Sequence, residues 1–186
     1  MQYKVVRIPK GGGRFRELYV PSDQDKAQLR RLIPVLEAIA SKHCPASYDY
    51  AFRRGRNCAL GALQHIGQRF VLSLDLQDFF DSIRPRHVAG IIPKELIEYC
   101  FIDGSPKQGL PTSPLISTIA FAVCDEMIVD SLRKLGIEST YTRYADDLVF
   151  GFNEPESAGK IRTLVRQIVE RNGFKINESK TRVQDS

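Results

Sequence analysis

The chain begins with two short runs in which apolar and polar residues partly alternate. The runs are YKVVRIP and RFRELYVP, and the glycines Gly11–Gly13 stand between them. Alternation of this kind is typical of β-strands and glycine suits a tight turn, so the pattern predicts a hairpin. After the hairpin, Ser22 with Asp25 three residues later resembles a capping box and predicts a helix start. A helical stripe over Leu29–Ile39 follows, and we expect Pro34 to kink or divide that helix.

The middle of the chain predicts one strand and one long helix. The strongly apolar run RFVLSLDL (Arg69–Leu76) is typical of a strand, and the short segment QDFFDSI after it has a helical pattern. The long helix starts at Pro114 and ends before Gly136, which places proline and glycine where helix starts and ends favour them. Its predicted buried stripe comprises Leu115, Ile119, Val123, Met127 and Leu132.

The last fifty residues predict a hairpin, a helix and one further strand. Residues 139–152 form the hairpin, with its turn near Ala145–Asp147, and the helix runs from about Glu156 to Arg171, where Asn172 and Gly173 end it. FKINESKT then predicts a strand or a strand edge. Strands and helices mix without regular βαβ alternation, which favours an α+β fold with helices covering one face of a mainly antiparallel sheet.

Composition narrows the class of protein. Hydrophobic residues make up 42% of the chain and charged residues 26%, which is ordinary for a soluble globular protein. The chain has no apolar run long enough to cross a bilayer, and its start lacks the pattern of a signal peptide. The four cysteines and three histidines show no metal-ligand spacing. We therefore expect a cytoplasmic protein with reduced thiols and no membrane partner.

Positive charge is concentrated in the first half of the chain. Residues 1–86 hold 15 Lys and Arg against 8 Asp and Glu, a net charge of +7, whereas residues 87–186 hold 12 against 14, a net charge of −2. The basic clusters RIPKGGGRFR and FRRGR suit contacts with phosphate groups. A solvated basic face would explain either cluster equally well, so charge alone does not identify a nucleic-acid partner.

Two adjacent carboxylates, Asp146 and Asp147, lie at the predicted hairpin turn within YTRYADDLVF. Like charges in an apolar neighbourhood repel one another and are hard to keep ionised. Asp75 ends the predicted strand Arg69–Leu76, and if that strand lies beside the hairpin, the three carboxylates converge. Carboxylate oxygens are ligands that Mg²⁺ prefers, and two such ions about 4 Å apart assist in-line phosphoryl transfer. The pattern therefore predicts a metal site.

Several motifs in a fixed order resemble the reverse transcriptase family, of the bacterial retron and group II intron type. They are PKGGGRFRELYVP, YAFRRGRN, LDLQDFF, QGLPTSP, YADD and GFKINESKT. The resemblance covers nearly the whole chain and implies a right-hand polymerase fold with fingers and a palm. Residues 1–68 would be mainly fingers and residues 69–186 mainly palm, with a fingers segment within 84–113. By this resemblance, the helical thumb that follows in the family would be absent from this chain.

The resemblance implies a role for each acidic residue. Asp75 and Asp146 would bridge two Mg²⁺ ions, for which Mn²⁺ could substitute, while Asp147 and the carbonyl of Leu76 would be further ligands. One ion would activate the primer 3′-hydroxyl and the other would neutralise the pyrophosphate leaving group. Lys180 would be a candidate general acid for that leaving group, although a solvated lysine explains it nearly as well.

The resemblance also implies contacts with the incoming nucleotide. Phe80, five residues after Asp75, would clash with a ribose 2′-hydroxyl and so select dNTPs. Gln108 would hydrogen-bond the nucleotide or template, and Gly109 would allow close backbone approach. Lys10 and Arg16, on opposite arms of the first hairpin, would hold the triphosphate.

The predicted partners are an RNA template and a DNA or RNA primer. Stacking and phosphate contacts to the template are expected from a basic cluster comprising Arg53, Arg54 and Arg56. A structured noncoding RNA and a thumb-bearing segment or partner protein are further candidate partners.

Two other functions remain open, namely an RNA-directed RNA polymerase and a non-catalytic nucleic-acid-binding or defence scaffold. Phe80 argues against the first, since a ribonucleotide enzyme needs room at the sugar, and the retained carboxylates argue against the second. The biological setting is also open between retron, intron mobility, phage defence and CRISPR spacer acquisition.

Overall fold

The computed structural model describes residues 1–11, 13–44 and 47–185, so Gly12 of the predicted turn lies outside the described residues. The chain divides into two compact units. The first comprises Met1–Cys44 with Ile83–Ala120, and the second comprises Pro45–Ser82 with Phe121–Ser186. Each unit joins two separate stretches of chain. The assignment of fingers and palm to residues 1–68 and 69–186 stays a prediction.

The first unit begins with the predicted hairpin. Strands β1 (Tyr3–Gly11) and β2 (Arg14–Pro21) pair antiparallel, with Tyr3 opposite Pro21. The register shifts between Pro9 and Gly11, which leaves Lys10 as the extra residue of a bulge. The hairpin prediction is confirmed.

Helix α1 (Asp23–His43) follows at once, and its predicted cap is confirmed. The Ser22 hydroxyl accepts a hydrogen bond from the Asp25 amide at 3.2 Å and donates one to the Asp25 carboxylate at 2.7 Å. Pro34 does not divide the helix, which continues as one element of 21 residues. Leu29, Leu36 and Ala40 are buried on either side of the proline, so packing holds the helix together across the missing amide.

The remaining helices of the first unit are a 3₁₀ turn (Pro85–His87), α4 (Lys94–Cys100) and the start of α5 (Ser113–Lys134). The predicted stripe along α5 is partly wrong, because Val123 and Met127 are 47% and 39% exposed. Three steps of four residues, from Leu115 to Met127, rotate the predicted stripe by about 120° around the helix and carry it away from the buried face. The buried face instead continues through Phe121, Cys124, Ile128 and Leu132.

The second unit is built on a four-stranded antiparallel sheet in the order β4-β5-β3-β6. Its strands are β3 (Phe70–Asp75), β4 (Thr140–Tyr144), β5 (Asp147–Phe152) and β6 (Arg182–Asp185). Only Ala145 and Asp146 separate β4 from β5, and Ala145 has a positive φ of 55°. The predicted hairpin and the predicted antiparallel sheet are both confirmed.

Short helices and one longer helix complete the second unit. They are α2 (Cys58–Leu63), α3 (Phe79–Ser82), α6 (Ser157–Arg171) and a 3₁₀ turn (Glu178–Lys180). The prediction of a strand over FKINESKT is mostly wrong. Ile176 forms an isolated bridge with Leu76, the 3₁₀ turn then interrupts the pairing with β3, and the strand itself starts at Arg182.

An aromatic cluster packs beneath α3. The rings of Phe79, Phe121 and Phe174 are buried, with centroids 5.1–5.8 Å apart. Phe79 is therefore a core residue. Across the described stretches of the chain, no helix is both long and apolar enough to cross a membrane.

Candidate active site

Asp75 and Asp147 face each other across two neighbouring strands. In the register of β3 and β5, Asp75 is the direct partner of Asp147, and the Leu76 amide donates to the Asp146 carbonyl at 2.9 Å. That bond marks Asp75 and Asp147 as a non-hydrogen-bonded pair, in which Cα atoms are about 4.5 Å apart and side chains share a face. The predicted convergence of the strand end with the hairpin turn is confirmed.

The carboxylates influence one another electrostatically. Partial desolvation, together with the charges of Asp146 and Asp75, raises the pKa of Asp147. Asp75 is 7% exposed and lies at the buried end of β3. The turn therefore holds negative charge in a place where it is disfavoured, and a nearby cation would stabilise it.

Two side chains from the segment after α6 bind the Asp75 carboxylate. Lys180 Nζ lies 2.7 Å from one oxygen, and Asn177 Nδ2 donates to the other at 3.0 Å. The Asn177 amide also donates to the Asp75 carbonyl at 2.7 Å, and the Ser179 hydroxyl donates to Asn177 Oδ1 at 2.7 Å. The hydrogen bond and charge of Asp75 raise the pKa of Lys180. While it is paired in this way, Lys180 is a weaker acid than an ordinary lysine.

Sequence reasoning missed Asn177, although the signal was present. The motif GFKINESKT was recognised, and Asn177 precedes Lys180 by three residues. Residues three apart lie on the same side of a 3₁₀ turn, so a turn in place of the predicted strand would have brought both side chains to Asp75.

The donor chemistry of the turn suits Mg²⁺. Within residues 1–11, 13–44 and 47–185, no group of three or more His, Cys, Asp and Glu side chains has a metal-holding arrangement. The carboxylates of Asp75, Asp146 and Asp147 are nevertheless hard oxygen donors at one strand end, and a divalent cation would offset both the partial desolvation and the neighbouring negative charges that raise the pKa of Asp147. The residues therefore fit Mg²⁺, provided that Lys180 gives up Asp75.

Phe80 lies on α3, five residues beyond Asp75, which ends β3. Its side chain is half-buried, and its ring centroid is 5.7 Å from that of Phe79. Because Phe79 is fixed by Phe121 and Phe174, Phe80 rests on a packed support. Its role at the sugar stays a prediction.

Gln108 and Gly109 lie in the first unit, against β2. The Gln108 carbonyl accepts a hydrogen bond from the Tyr19 amide at 2.8 Å. Gly109 has a φ of 104°, and a Cβ there would lie 2.5 Å from the Tyr19 carbonyl oxygen. The glycine is thus required by a close approach within the protein, whatever it does for a nucleotide. The Ser113 hydroxyl also closes this turn by donating to the Lys107 carbonyl at 2.7 Å.

Lys10 and Arg16 lie on opposite strands of the first hairpin, as predicted, and both side chains are exposed. Arg16 stands opposite Ile8, and Lys10 is the bulged residue. Their contact with a triphosphate stays a prediction.

The predicted nucleic-acid-binding arginines differ in their surroundings. Arg53 Nε lies 3.2 Å from the Asp49 carboxylate, and the guanidinium of Arg56 stacks 4.5 Å from the centre of the Tyr50 ring. Tyr50 is buried beneath Arg56, so it supports the loop rather than presenting a face to a base. Arg54 is exposed.

Comparison with known proteins places these features in one family. The sequence model described as "Reverse transcriptase (RNA-dependent DNA polymerase)" matches residues 8–185. The chain is 32% identical to the retron Mx65 reverse transcriptase of Myxococcus xanthus, covering 98% of this chain and 48% of that protein. It is 29% identical to the retron Ec86 reverse transcriptase of Escherichia coli, covering 97% and 58%. The chain thus spans about half the length of these relatives.

Solved structures agree on the fold. A telomerase from Candida albicans, solved with a fragment of telomeric RNA, superposes with a TM-score of 0.74 at 13% identity and covers 99% of this chain and 43% of that one. Apo telomerase from Candida tropicalis superposes with a TM-score of 0.69 at 13% identity, covering 99% and 44%. With a family match over residues 8–185 and a polymerase fold, this chain belongs to the reverse transcriptase family.

Proposed function

We propose that this chain is the catalytic core of an RNA-directed DNA polymerase that adds dNTPs to a primer. The observation that carries the proposal is the pairing of Asp75 with Asp147 beside the Asp146 turn, where strands from distant parts of the chain bring carboxylates together. A protein that only binds nucleic acid has no use for such a pair, since repulsion between directly opposed like charges destabilises a sheet.

Asp75, Asp146 and Asp147 would hold two Mg²⁺ ions, or Mn²⁺ in their place, with the Leu76 carbonyl as a further ligand. When bound, the ions would activate the primer 3′-hydroxyl and neutralise the pyrophosphate leaving group. Asp75 would be kept in position by the Asn177 amide group, which orients one carboxylate oxygen.

Lys180 would have two successive roles. In the structure its ammonium group neutralises Asp75 at 2.7 Å. If Asp75 turned away from Lys180, the hydrogen bond and charge that contribute most to its raised pKa would be lost, and only the charges of Asp146 and Asp147 would still raise it. Its Nζ proton would then be available to the leaving pyrophosphate.

Phe80 would exclude ribonucleotides by occupying the space that a 2′-hydroxyl needs. Lys10 and Arg16 would contact the triphosphate, and Gln108 with Gly109 would line the nucleotide site. Contacts with the RNA template would come from the basic cluster of Arg53, Arg54 and Arg56, for which exposed Arg54 is the strongest phosphate-binding candidate.

The retron reverse transcriptases among the relatives support a retron-type enzyme, with a structured noncoding RNA as its partner. Because the chain spans about half of their length, we expect the grip on the primer–template duplex to come from a thumb-bearing segment or partner protein.

Primer extension on an RNA template with dNTPs and Mg²⁺ tests the proposal. Asp146→Asn should abolish extension, while Asp103→Asn should retain it, because Asp103 is an exposed carboxylate in the first unit with a positive φ of 50° that asparagine tolerates. Extension that persists in Asp146→Asn would refute the metal-dependent mechanism.

The choice of sugar separates the DNA polymerase from an RNA polymerase. Phe80→Ala should lower the ratio of kcat/KM for dNTP over rNTP by about 10²-fold, the scale on which a pocket rejects an added hydroxyl. An unchanged ratio would remove Phe80 from this role, and wild-type preference for rNTPs would favour the RNA polymerase.

A further inference from the structure

A buried cluster of charged residues lies behind the catalytic hairpin, in the second unit. Arg143 of β4 has a side chain only 1% exposed, and both Asp125 of α5 and Asp49 are buried. Arg143 Nε lies 3.0 Å and Nη2 2.9 Å from Asp125 oxygens, and Nη2 is 3.2 Å from Asp49. The Tyr141 hydroxyl also donates to Asp125, at 2.7 Å.

The charges in this cluster compensate one another. Arg53 Nε lies 3.2 Å from the same Asp49 oxygen that contacts Arg143, so two guanidinium groups meet two carboxylates. Burial lowers the pKa of Arg143, but the charges of Asp125 and Asp49 outweigh that effect, raise the pKa and keep the guanidinium charged. Desolvation raises the pKa of Asp125, and the bidentate contact with Arg143 opposes that rise.

Arg143 is tied to the turn that carries Asp146. Its Nη1 donates to the Ala145 carbonyl at 3.4 Å, one residue before Asp146. Its own amide donates to the Tyr48 carbonyl at 2.7 Å, and its carbonyl accepts from the Tyr50 amide at 2.8 Å. The arginine is therefore fixed through both backbone and side chain, and a rigid guanidinium fork can hold the turn in one position.

Stability alone does not explain this arrangement. Apolar side chains of similar volume fill a core at least as favourably as a buried ion pair, because the charges must first lose their water. Unlike an apolar side chain, an arginine held by two hydrogen bonds points its remaining N–H donors in a fixed direction. Ala145 has a positive φ, which a non-glycine residue adopts only when its surroundings impose it.

We propose that Arg143, clamped by Asp125 and Asp49, is a positioning residue that holds the Ala145–Asp146 turn so that the Asp146 carboxylate faces the metal site. The effect of this role on metal binding rests on the proposed polymerase function. The anchoring of the turn by Arg143 does not depend on that function. The Arg143 side chain is only 1% exposed, so it would act on the chemistry through the turn.

Two variants test the clamp. Arg143→Lys keeps the charge and loses the fork, and Asp49→Asn removes one carboxylate at nearly constant volume. Val165→Ala serves as the control, because Val165 is a fully buried apolar residue of α6 and its truncation lowers stability without removing a hydrogen bond or ion pair of the cluster. All variants are compared at a temperature where each remains folded.

Two measurements report on the turn without requiring turnover. Hydrogen exchange of the Leu76 amide probes its bond to the Asp146 carbonyl, and electron paramagnetic resonance measures Mn²⁺ binding. We expect Arg143→Lys and Asp49→Asn to speed Leu76 exchange by about tenfold beyond Val165→Ala. Mn²⁺ affinity should fall by about tenfold, as it does when residues that orient metal ligands are replaced.

The outcomes separate the two proposals. If Leu76 exchange and Mn²⁺ affinity in the cluster variants match Val165→Ala at equal loss of stability, the cluster is only structural and the inference is overturned. If Asp146→Asn binds Mn²⁺ as tightly as the wild type, the metal-dependent function fails, and Leu76 exchange still decides whether Arg143 anchors the turn.

Discussion

Replacing Gly109 with alanine should destabilise the first unit more than its single methyl group suggests. The new Cβ would lie 2.5 Å from the Tyr19 carbonyl oxygen and 3.1 Å from the Tyr19 nitrogen, and both are backbone atoms that cannot rotate away. Backbone strain at a φ of 104° costs about 1–3 kcal/mol. Separating the loop from β2 also weakens the bond from the Tyr19 amide to the Gln108 carbonyl, worth about 0.5–1.5 kcal/mol. The free energy of unfolding should fall by about 2–4 kcal/mol in total.

Urea denaturation followed by circular dichroism measures this loss, and Gly136→Ala is the matched control. Gly136 also has a positive φ, of 63°, but a Cβ there meets open space. The control should therefore lose only the cost of a left-handed conformation, about 1–2 kcal/mol. If Gly109→Ala is no more destabilising than Gly136→Ala, the close approach to Tyr19 is not what requires the glycine. Gln108→Ala keeps the carbonyl that binds Tyr19, so it tests the nucleotide contact without this loss of stability.

Three further predictions concern the second unit. Asp147→Asn should raise the free energy of unfolding at pH 7 by about 0.2–1 kcal/mol, because it removes the like charge opposite Asp75. Urea denaturation in the presence of EDTA measures this gain. The gain should vanish below pH 4, where the Asp147 carboxyl of the wild type is protonated. Burial lowers the pKa of His65, whose ring nitrogen bonds the Thr142 hydroxyl at 2.7 Å. Its contribution to stability is thus complete above about pH 6.5 and is lost as the pH falls through the lowered pKa, so the wild type should lose more stability than His65→Gln between pH 8 and pH 5. Asn177→Ala should weaken Mn²⁺ binding by about 10–100-fold, measured by electron paramagnetic resonance, and unchanged affinity would limit Asn177 to a backbone role.

Local patterns were sufficient for the hairpins, the helix cap and the meeting of Asp75 with the YADD turn. The hairpins and the cap depend on residues that are neighbours in sequence. The meeting of Asp75 with the YADD turn was expected because the family resemblance pairs those two motifs. The Ser22 cap, for instance, involves residues three apart. The stripe on α5 failed at Val123 and Met127 because helical spacing defines a face only over about two turns, after which tertiary packing selects the buried side.

The residues that sequence reasoning missed are joined over long distances by side chains. Asn177 and Asp75 are 102 positions apart, and Arg143 and Asp125 are 18 apart on different elements. An arginine within TYTRY alternates like any strand residue, and its burial becomes apparent only when α5 and the Tyr48–Tyr50 segment pack around it. Such pairs require the tertiary fold, since no local spacing distinguishes a buried arginine from an exposed one.

The electrostatics of the turn indicate that Asp146 and Asp147 would contribute differently to a metal site. The resemblance makes Asp75 and Asp146 the bridging ligands and Asp147 a further one, yet Asp147 is the direct partner of Asp75 and has the raised pKa. Asp75 is paired with Lys180 and Asn177, whereas partial desolvation and the charges of Asp146 and Asp75 raise the pKa of Asp147 more than Lys180 lowers it. A further ligand can therefore be the residue whose charge a cation would stabilise most, while the position of Asp146 is the one that the proposed clamp by Arg143 would fix through Ala145. A metal site needs carboxylates whose negative charge a cation stabilises, and it needs carboxylates that are held in a fixed position. Two adjacent carboxylates at a two-residue turn allow different residues to satisfy these two requirements.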